Sequence, residues 1–202
     1  MYLKLISNKN SNLQIMIEIK KNSQITIRKF EQVNSFKYLR AMVNTDNLIE
    51  EEIKERIAAG NWAYHIHNKL FTSKLISQNI KLQLYNTLIC PTVIYASEAW
   101  VLKENMINKL MIFKRRIMRK IFGPTQSDDG YWRIQTNQEI NDILKGQNII
   151  GFIKKQRWNW LGHVERMAED NNVKKIKRWK PMSERPIERP KIRWEDDILE
   201  DA

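Results

Sequence analysis

A single cysteine, Cys90, stands in 202 residues, so no internal disulfide can staple the fold. The three histidines do not gather around it. His65 and His67 are two apart and diverge by about 200° on a helix, and His163 lies far along the chain. A structural zinc site wants four Cys or His ligands at set spacings, so none is expected. No stretch reaches the roughly 18 uninterrupted apolar residues of a membrane span. The opening Met1-Tyr2-Leu3-Lys4 lacks the charged and apolar regions of a signal peptide. The expectation is an intracellular chain, nuclear or cytoplasmic, with no membrane partner. Also missing are a Gly-rich phosphate loop and a Gly-x-Ser-x-Gly elbow. Two Asp-Asp pairs exist, but neither has a partner acid on a second strand. Asp128-Asp129 sits in a polar loop, and Asp196-Asp197 follows Trp194-Glu195 in a helix-like context. Metal-dependent polymerase or nuclease chemistry needs such converging acids, so no catalytic residue and no metal are assigned to this chain.

What the sequence has is positive charge, unevenly placed. Residues 103–194 hold 22 Lys and Arg against 10 Asp and Glu, a net of +12 that equals the net charge of the whole chain. A localised basic excess is the electrostatic footprint of a polyanionic partner. The seven tryptophans add a second theme. Trp158, Trp160, Trp179 and Trp194 lie near Lys or Arg, a mixture suited to base stacking beside phosphate contacts. Trp158 and Trp160 fall at helical spacing with Leu161 and Glu165, which assigns them to the core.

The fold class expected is α+β, mainly α. Residues 13–19 and 24–30 alternate apolar and polar and predict a β-hairpin, with another short strand from Phe36 to about Asn44. The period then changes. Asn47 and Glu50 form a capping-box pattern, and Ile49, Ile53, Ile57, Ala63, Ile66 and Leu70 predict a helix of about six turns, slightly weakened by Gly60. Ser77 is placed to cap a second helix with Ile80, Leu84 and Leu88 on one face, stopped by Pro91. Pro91–Trp100 reads as a connecting strand or turn, with Cys90 a small buried hydrophobe. The third helix, Lys103–Phe122, carries an apolar stripe of Ile107, Leu110, Met111, Ile117, Met118 and Ile121. Lys109, Lys114, Arg115, Arg116, Arg119 and Lys120 fill its other faces, and Gly123-Pro124 ends it. Thr136 with Glu139 predicts a second capping box. Helices follow to about Lys145 and from Gln147 to Met167. Beyond Asp170 the chain is charged, contains Pro181, Pro186 and Pro190, and reads as extended apart from a last turn at Glu195–Leu199.

Six segments resemble one family. Phe36-Lys37-Tyr38-Leu39-Arg40 is similar to the Phe-Lys-Tyr-Leu-Gly of non-LTR (LINE-type) retrotransposon reverse transcriptases. Leu84-Tyr85-Asn86-Thr87-Leu88-Ile89-Cys90-Pro91 resembles their Leu-Tyr-x-Thr-Leu-Ile-x-Pro, and Tyr95-Ala96-Ser97-Glu98-Ala99-Trp100 their Tyr-Gly-Ser-Glu-Thr-Trp. Arg115 to Pro124 resembles their Arg-Arg-Ile-Leu-Arg-x-Ile-x-Gly-Pro, and Trp160 to Met167 their Trp-Leu-Gly-His-Val-x-Arg-Met. Arg189-Pro190-Lys191-Ile192-Arg193-Trp194 with Asp196-Asp197 resembles their closing Gly-Arg-Pro-x-x-Arg-Trp-x-Asp-Asp. The six keep the family's order. The resemblance implies an RNA-directed DNA polymerase that works with Mg²⁺ and whose catalytic acids lie in the palm, upstream of the primer grip. The residues before Phe36 contain no Asp. Arg40 and Ala96 stand where the pattern has glycine, which costs stability if those positions need a positive φ. Glu188 likewise replaces the glycine before Arg189.

The organisation expected is a palm and primer-grip remnant over 1–45, a thumb-like helical domain over 46–124, a C-terminal helical region over 125–170 and a basic extended tail over 171–202. The function expected is that of a non-catalytic C-terminal fragment of a retrotransposon reverse transcriptase that binds RNA or DNA, best an RNA–DNA hybrid, by its backbone. The nucleic-acid-binding residues assigned are Lys109, Lys114, Arg115, Arg116, Arg119, Lys120, Arg157, Lys174, Lys175, Arg178, Arg189, Lys191 and Arg193. Phe36, Lys37, Tyr38 and Leu39 are the primer-grip-like set. The alternatives are a helical protein-interaction module, a domesticated nucleic-acid-binding module and a nuclease built on Asp196-Asp197.

Overall fold

The computed structural model describes residues 2–5, 15–21, 24–29, 34–44, 49–178 and 194–201. The chain divides into two compact units, one up to Leu48 and one from Ile49 onward. The fold is mainly helical, with antiparallel strands confined largely to the first unit.

In the first unit, strands β1 (Tyr2–Leu5), β2 (Ile15–Lys21) and β3 (Gln24–Lys29) form an antiparallel sheet in that order. The expected hairpin is β2–β3, with Lys21 opposite Gln24, and β1 adds a third strand that the alternation of residues 13–30 did not reveal. Strands β4 (Ser35–Tyr38) and β5 (Ala41–Asn44) form a separate hairpin with Tyr38 opposite Ala41. Its two-residue turn, Leu39-Arg40, has φ of 47° and 66°. Both central residues are thus in the left-handed region, the type I′ arrangement that matches strand twist and favours Asn-Gly. Arg40 occupies the place of the family's glycine in that turn.

The second unit is built around one amphipathic helix. Helix α1 spans Ile49–Ile66 and α2 Asn68–Thr72. The expected six-turn helix is broken at His67, and Ile66 and Leu70, expected in the core, are exposed. Helix α3 (Gln78–Leu84) begins where Ser77 Oγ accepts the Ile80 N–H at 3.4 Å. It widens into a π turn over Tyr85–Ile89 and continues as α4, Cys90–Val93. Pro91 therefore does not stop the helix. It lies in the first turn of α4, and the widened turn ahead absorbs its missing N–H and bulky ring. The expected strand before Trp100 is this short helix followed by a 3₁₀ turn at Ser97–Ala99. Ala96, where the family has glycine, enters that turn at φ 60°.

Helix α5 (Glu104–Phe122) buries Met106, Leu110, Phe113, Ile117, Met118 and Ile121. At roughly 1.5–3 kcal/mol per buried apolar side chain, this stripe is the largest single contribution to the core. Gly60 proves to be a packing requirement. A Cβ there would clash with Val93 and lie 2.9 Å from Phe113 Cζ, so only glycine lets α1 approach α4 and α5. After α5, Gly123 (φ 75°) turns the chain into a short hairpin, β6 (Thr125–Gln126) and β7 (Trp132–Arg133). Helices α6 (Asn137–Ile143) and α7 (Ile149–Glu165) follow, packed on α5. The segment beyond Asp170 is not wholly extended, because α8 (Asn172–Arg178) and α9 (Trp194–Leu199) are helical. Among the described residues no helix is long and apolar enough to cross a membrane.

Candidate nucleic-acid interface

A helix that buries one stripe must present the rest of its circumference elsewhere. On α5 much of the remainder is basic, above all in its second half. Arg116 and Lys120 are exposed, and Lys109, Arg115 and Arg119 are half-buried. Two depressions lie along this face. The first, about 280 Å³, is lined by Lys54, Ile57 and Asn61 of α1 and by Lys109, Ile112, Phe113 and Arg116 of α5. The second, about 540 Å³, is lined by Ile112, Arg115, Arg116, Arg119 and Lys120 with Asn137 of α6. Ile112 and Arg116 belong to both, so the two run together as one groove. Its lining holds six bases and no carboxylate.

The groove is held in shape from both sides. Arg119 Nε donates to the Gln135 carbonyl at 3.0 Å, and its terminal nitrogen donates to Asn137 Oδ1 at 2.8 Å. Lys120 Nζ lies 4.9 Å from the centre of the Tyr64 ring, a cation–π contact with α1. Thr136 and Glu139 form the expected capping box at the start of α6. Arg133 is salt-bridged to Glu139, and that contact, followed by the Thr136 backbone N–H, pushes the Glu139 carboxyl down to about 2. Glu50, at the start of α1, is held below the usual carboxylate range by the Asn105 side chain first and by Lys109, Lys103 and Lys54 after it.

Three assigned residues are corrected. Lys114 points inward from α5, and its ammonium donates to the Gln147 carbonyl while burial pushes its pKa down. Arg157 is wholly buried and salt-bridged to Asp197 and, at 2.8 Å, to Asp201. Lys174 is buried and donates to the Glu165 and Met167 carbonyls at 3.0 and 3.1 Å, with Glu169 at 2.7 Å. Each is held inside by acceptors that a phosphate would have to displace. Arg178 is exposed but paired with Glu169, and Lys175 is exposed on α8. Arg189, Lys191, Arg193 and Trp179 lie outside the described residues. Phe36, Lys37, Tyr38 and Leu39 are exposed on the β4–β5 hairpin of the first unit.

The closing motif has a structural role. Trp194 Nε1 donates to the Glu98 carbonyl at 2.8 Å, and Asp197 Oδ2 accepts the Leu102 N–H at 3.1 Å as well as the Arg157 guanidinium. Helix α9 thus clasps α7 and the 98–102 segment together. Asp197 is committed to Arg157, and Asp128 and Asp129 are exposed at the β6–β7 tip. Among the described residues no three His, Cys, Asp or Glu side chains converge to hold a metal. Trp158 and Trp160, assigned to the core, are both more than a third exposed.

Sequence reasoning missed Lys54, Asn61 and Asn137. Lys54, Ile57 and Asn61 follow helical spacing, so they share a face of α1. Nothing in the sequence told that this face lies against α5.

No family model and no solved structure matches the chain. It is 25 % identical over 171 residues to a transposon-derived protein of Caenorhabditis elegans, a match that covers 84 % of this chain. The chain spans about three fifths (61 %) of the length of that relative. The similarity indicates a transposon origin.

Proposed function

We propose that the chain binds nucleic acid along the α5 groove, as the non-catalytic C-terminal part of a retrotransposon reverse transcriptase. The observation that carries this reading is a continuous groove lined by six bases and no carboxylate. Such a surface neutralises backbone phosphates and releases their condensed counterions. Exposed Ile112 on the groove floor leaves room for sugar contacts between the cations. The likeness to a transposon-derived protein supports a mobile-element origin. The six ordered motifs support the reverse transcriptase in particular. In this reading polymerisation belongs to a palm with its own acids and Mg²⁺, and this chain holds the template–primer without extending it.

The test is a matched pair of variants. Changing Lys54, Lys109, Arg116 and Lys120 to Gln removes groove cations without touching the core. Changing Lys69, Lys74, Lys145 and Lys175 to Gln removes the same charge from exposed sites elsewhere. The groove set is expected to weaken binding to an RNA–DNA hybrid and to lower its salt slope by about three to four, roughly 0.9 per lost phosphate contact. The control set is expected to change the slope by less than about one. Equal effects would mean diffuse attraction and would end the case for a groove.

A further inference from the structure

Two buried polar groups of the second unit are not accounted for by folding. Tyr85 is 2 % exposed, and its hydroxyl has no hydrogen-bond partner among the described residues. A buried Tyr O–H ordinarily finds a partner, and phenylalanine would fill the same space without stranding one. Lys114 is 6 % exposed, and its ammonium has one acceptor, the neutral Gln147 carbonyl. An ammonium carries three donors. A neutral amide could make that single bond without the cost of a buried charge, and burial does push the Lys114 pKa down. Neither residue lines the α5 groove.

Both residues line another cavity, of about 530 Å³, formed by the π turn and α4, by α5, and by the turn between α6 and α7. That volume is ordinary for a small-molecule site. Its walls include the apolar Ile94, Leu144 and Phe152, its second cation is Lys155, and no carboxylate lines it. Cys90 lines it as well and interacts electrostatically with both Tyr85 and Lys114, so the polar groups gather in one place. The wall that carries Gln147 is built rather than loose. The Gln147 N–H donates to the Leu144 carbonyl at 2.9 Å, across a turn whose Lys145 and Gly146 have φ of 48° and 77°. Asn148 then caps α7 by accepting the Ile150 N–H at 3.0 Å.

We infer that this cavity is a binding site for a small carboxylate with an apolar body, its oxygens accepting from Lys114 and Tyr85. A carboxylate brings the single negative charge that balances one buried ammonium, and it brings the acceptors that both donors lack. The apolar body covers the walls around them. The site and its ligand are independent of what the α5 groove binds.

The test titrates naphthoate and its uncharged analogue naphthamide into the full chain. Affinity is read by calorimetry, and location by protection of Cys90, the single cysteine, from iodoacetamide. Naphthoate is expected to protect Cys90 and to bind about tenfold more tightly than naphthamide, the worth of a charge-assisted hydrogen bond. Lys114→Met is expected to bring naphthoate to the level of naphthamide and to leave naphthamide within about twofold. Tyr85→Phe is expected to weaken naphthoate by about threefold to tenfold. Phe152→Ala, in the apolar wall, is expected to weaken both compounds alike. Equal affinity for the two compounds, or a preference that survives Lys114→Met, overturns the inference. Naphthoate that leaves Cys90 unprotected and is weakened by Lys109→Gln with Arg116→Gln belongs to the groove, which overturns it too. Failure of the groove reading shows instead in the salt slope for nucleic acid and leaves Cys90 protection unchanged. Thermal unfolding identifies a variant that fails to fold, and Tyr85→Phe, which keeps the ring, then carries the comparison alone.

Discussion

Two parts of the second unit carry clustered cations, and the fold surrounds them differently. On α5, Arg115, Arg116, Arg119 and Lys120 line a groove with no carboxylate in its lining, while Lys109 shares Glu50 with Lys54 and Lys103. Across α7, α8 and α9, five cations meet carboxylates. Arg157 meets Asp197 and Asp201, Lys154 meets Asp201, and Lys177 meets Glu165 and Glu195, while Glu169 serves Lys174 and Arg178. The net charge of a stretch is therefore a poor measure of the charge a partner can reach. A cation whose counterion lies in the same fold is a structural group, and one without it is open to a partner.

The largest expected effect tests the structural half of that contrast. Asp197→Ala leaves Arg157 buried with Asp201 as its remaining carboxylate, and removing one member of a buried pair typically costs about 3–5 kcal/mol. Denaturant unfolding should show this loss, whereas exposed Asp196→Ala should cost less than about 1 kcal/mol. Equal losses would mean that the clasp is no stronger than a surface pair.

A smaller effect asks on which side of the contrast Lys114 falls. Lys174→Met strips two carbonyls of a buried donor and is expected to cost about 1–3 kcal/mol. Lys114→Met strips one carbonyl but also relieves a charge that burial disfavours, so its cost should be smaller than that of Lys174→Met. Binding to nucleic acid should be unchanged by Lys114→Met. A drop in salt slope would return Lys114 to the groove.

The smallest effect concerns the groove wall. Glu139 has a folded-state pKa of about 2, below its ordinary value of 4.5. A depressed carboxyl contributes stability that is fully present above the unfolded value and lost as pH falls through the folded one. The Arg133–Glu139 link should thus survive to pH 3 and fail near 2. A carboxyl titration by NMR should give that midpoint, and Arg133→Gln should move it up toward 4.5. A midpoint near 4 in the unaltered chain would show a wall that is not fixed.

Much of this was legible in the sequence, for local reasons. The limits of α5 follow from its stripe and from Gly123, and the Thr136–Glu139 capping box from spacing alone. The departures at Arg40 and Ala96 pointed to left-handed positions, and both residues have φ above 60° or equal to it. The misassigned cations were legible too, had the stripe been read through them. Lys114 lies four residues from both Leu110 and Met118, inside the apolar stripe. Arg157 lies four from Ile153 and four from Leu161, at the centre of another. A base amid an apolar stripe demands a buried acceptor from elsewhere, and its identity depends on tertiary contact. Asp197 is 40 residues beyond Arg157, and no local pattern joins them. For the same reason the groove's second wall, from α1, could not be read from α5.

The clasp by α9 also has a consequence in time. Arg157 leaves the ribosome 40 residues ahead of Asp197 and 44 ahead of Asp201. At synthesis rates of about 5–20 residues per second, the guanidinium waits roughly 2–8 s for its carboxylates. During that interval α7 cannot seat without enclosing an uncompensated charge, so its docking against the 97–102 segment is deferred. Folding of the second unit is thereby ordered, with the α1–α5 core free to assemble first and α7 locked only when the later acids arrive.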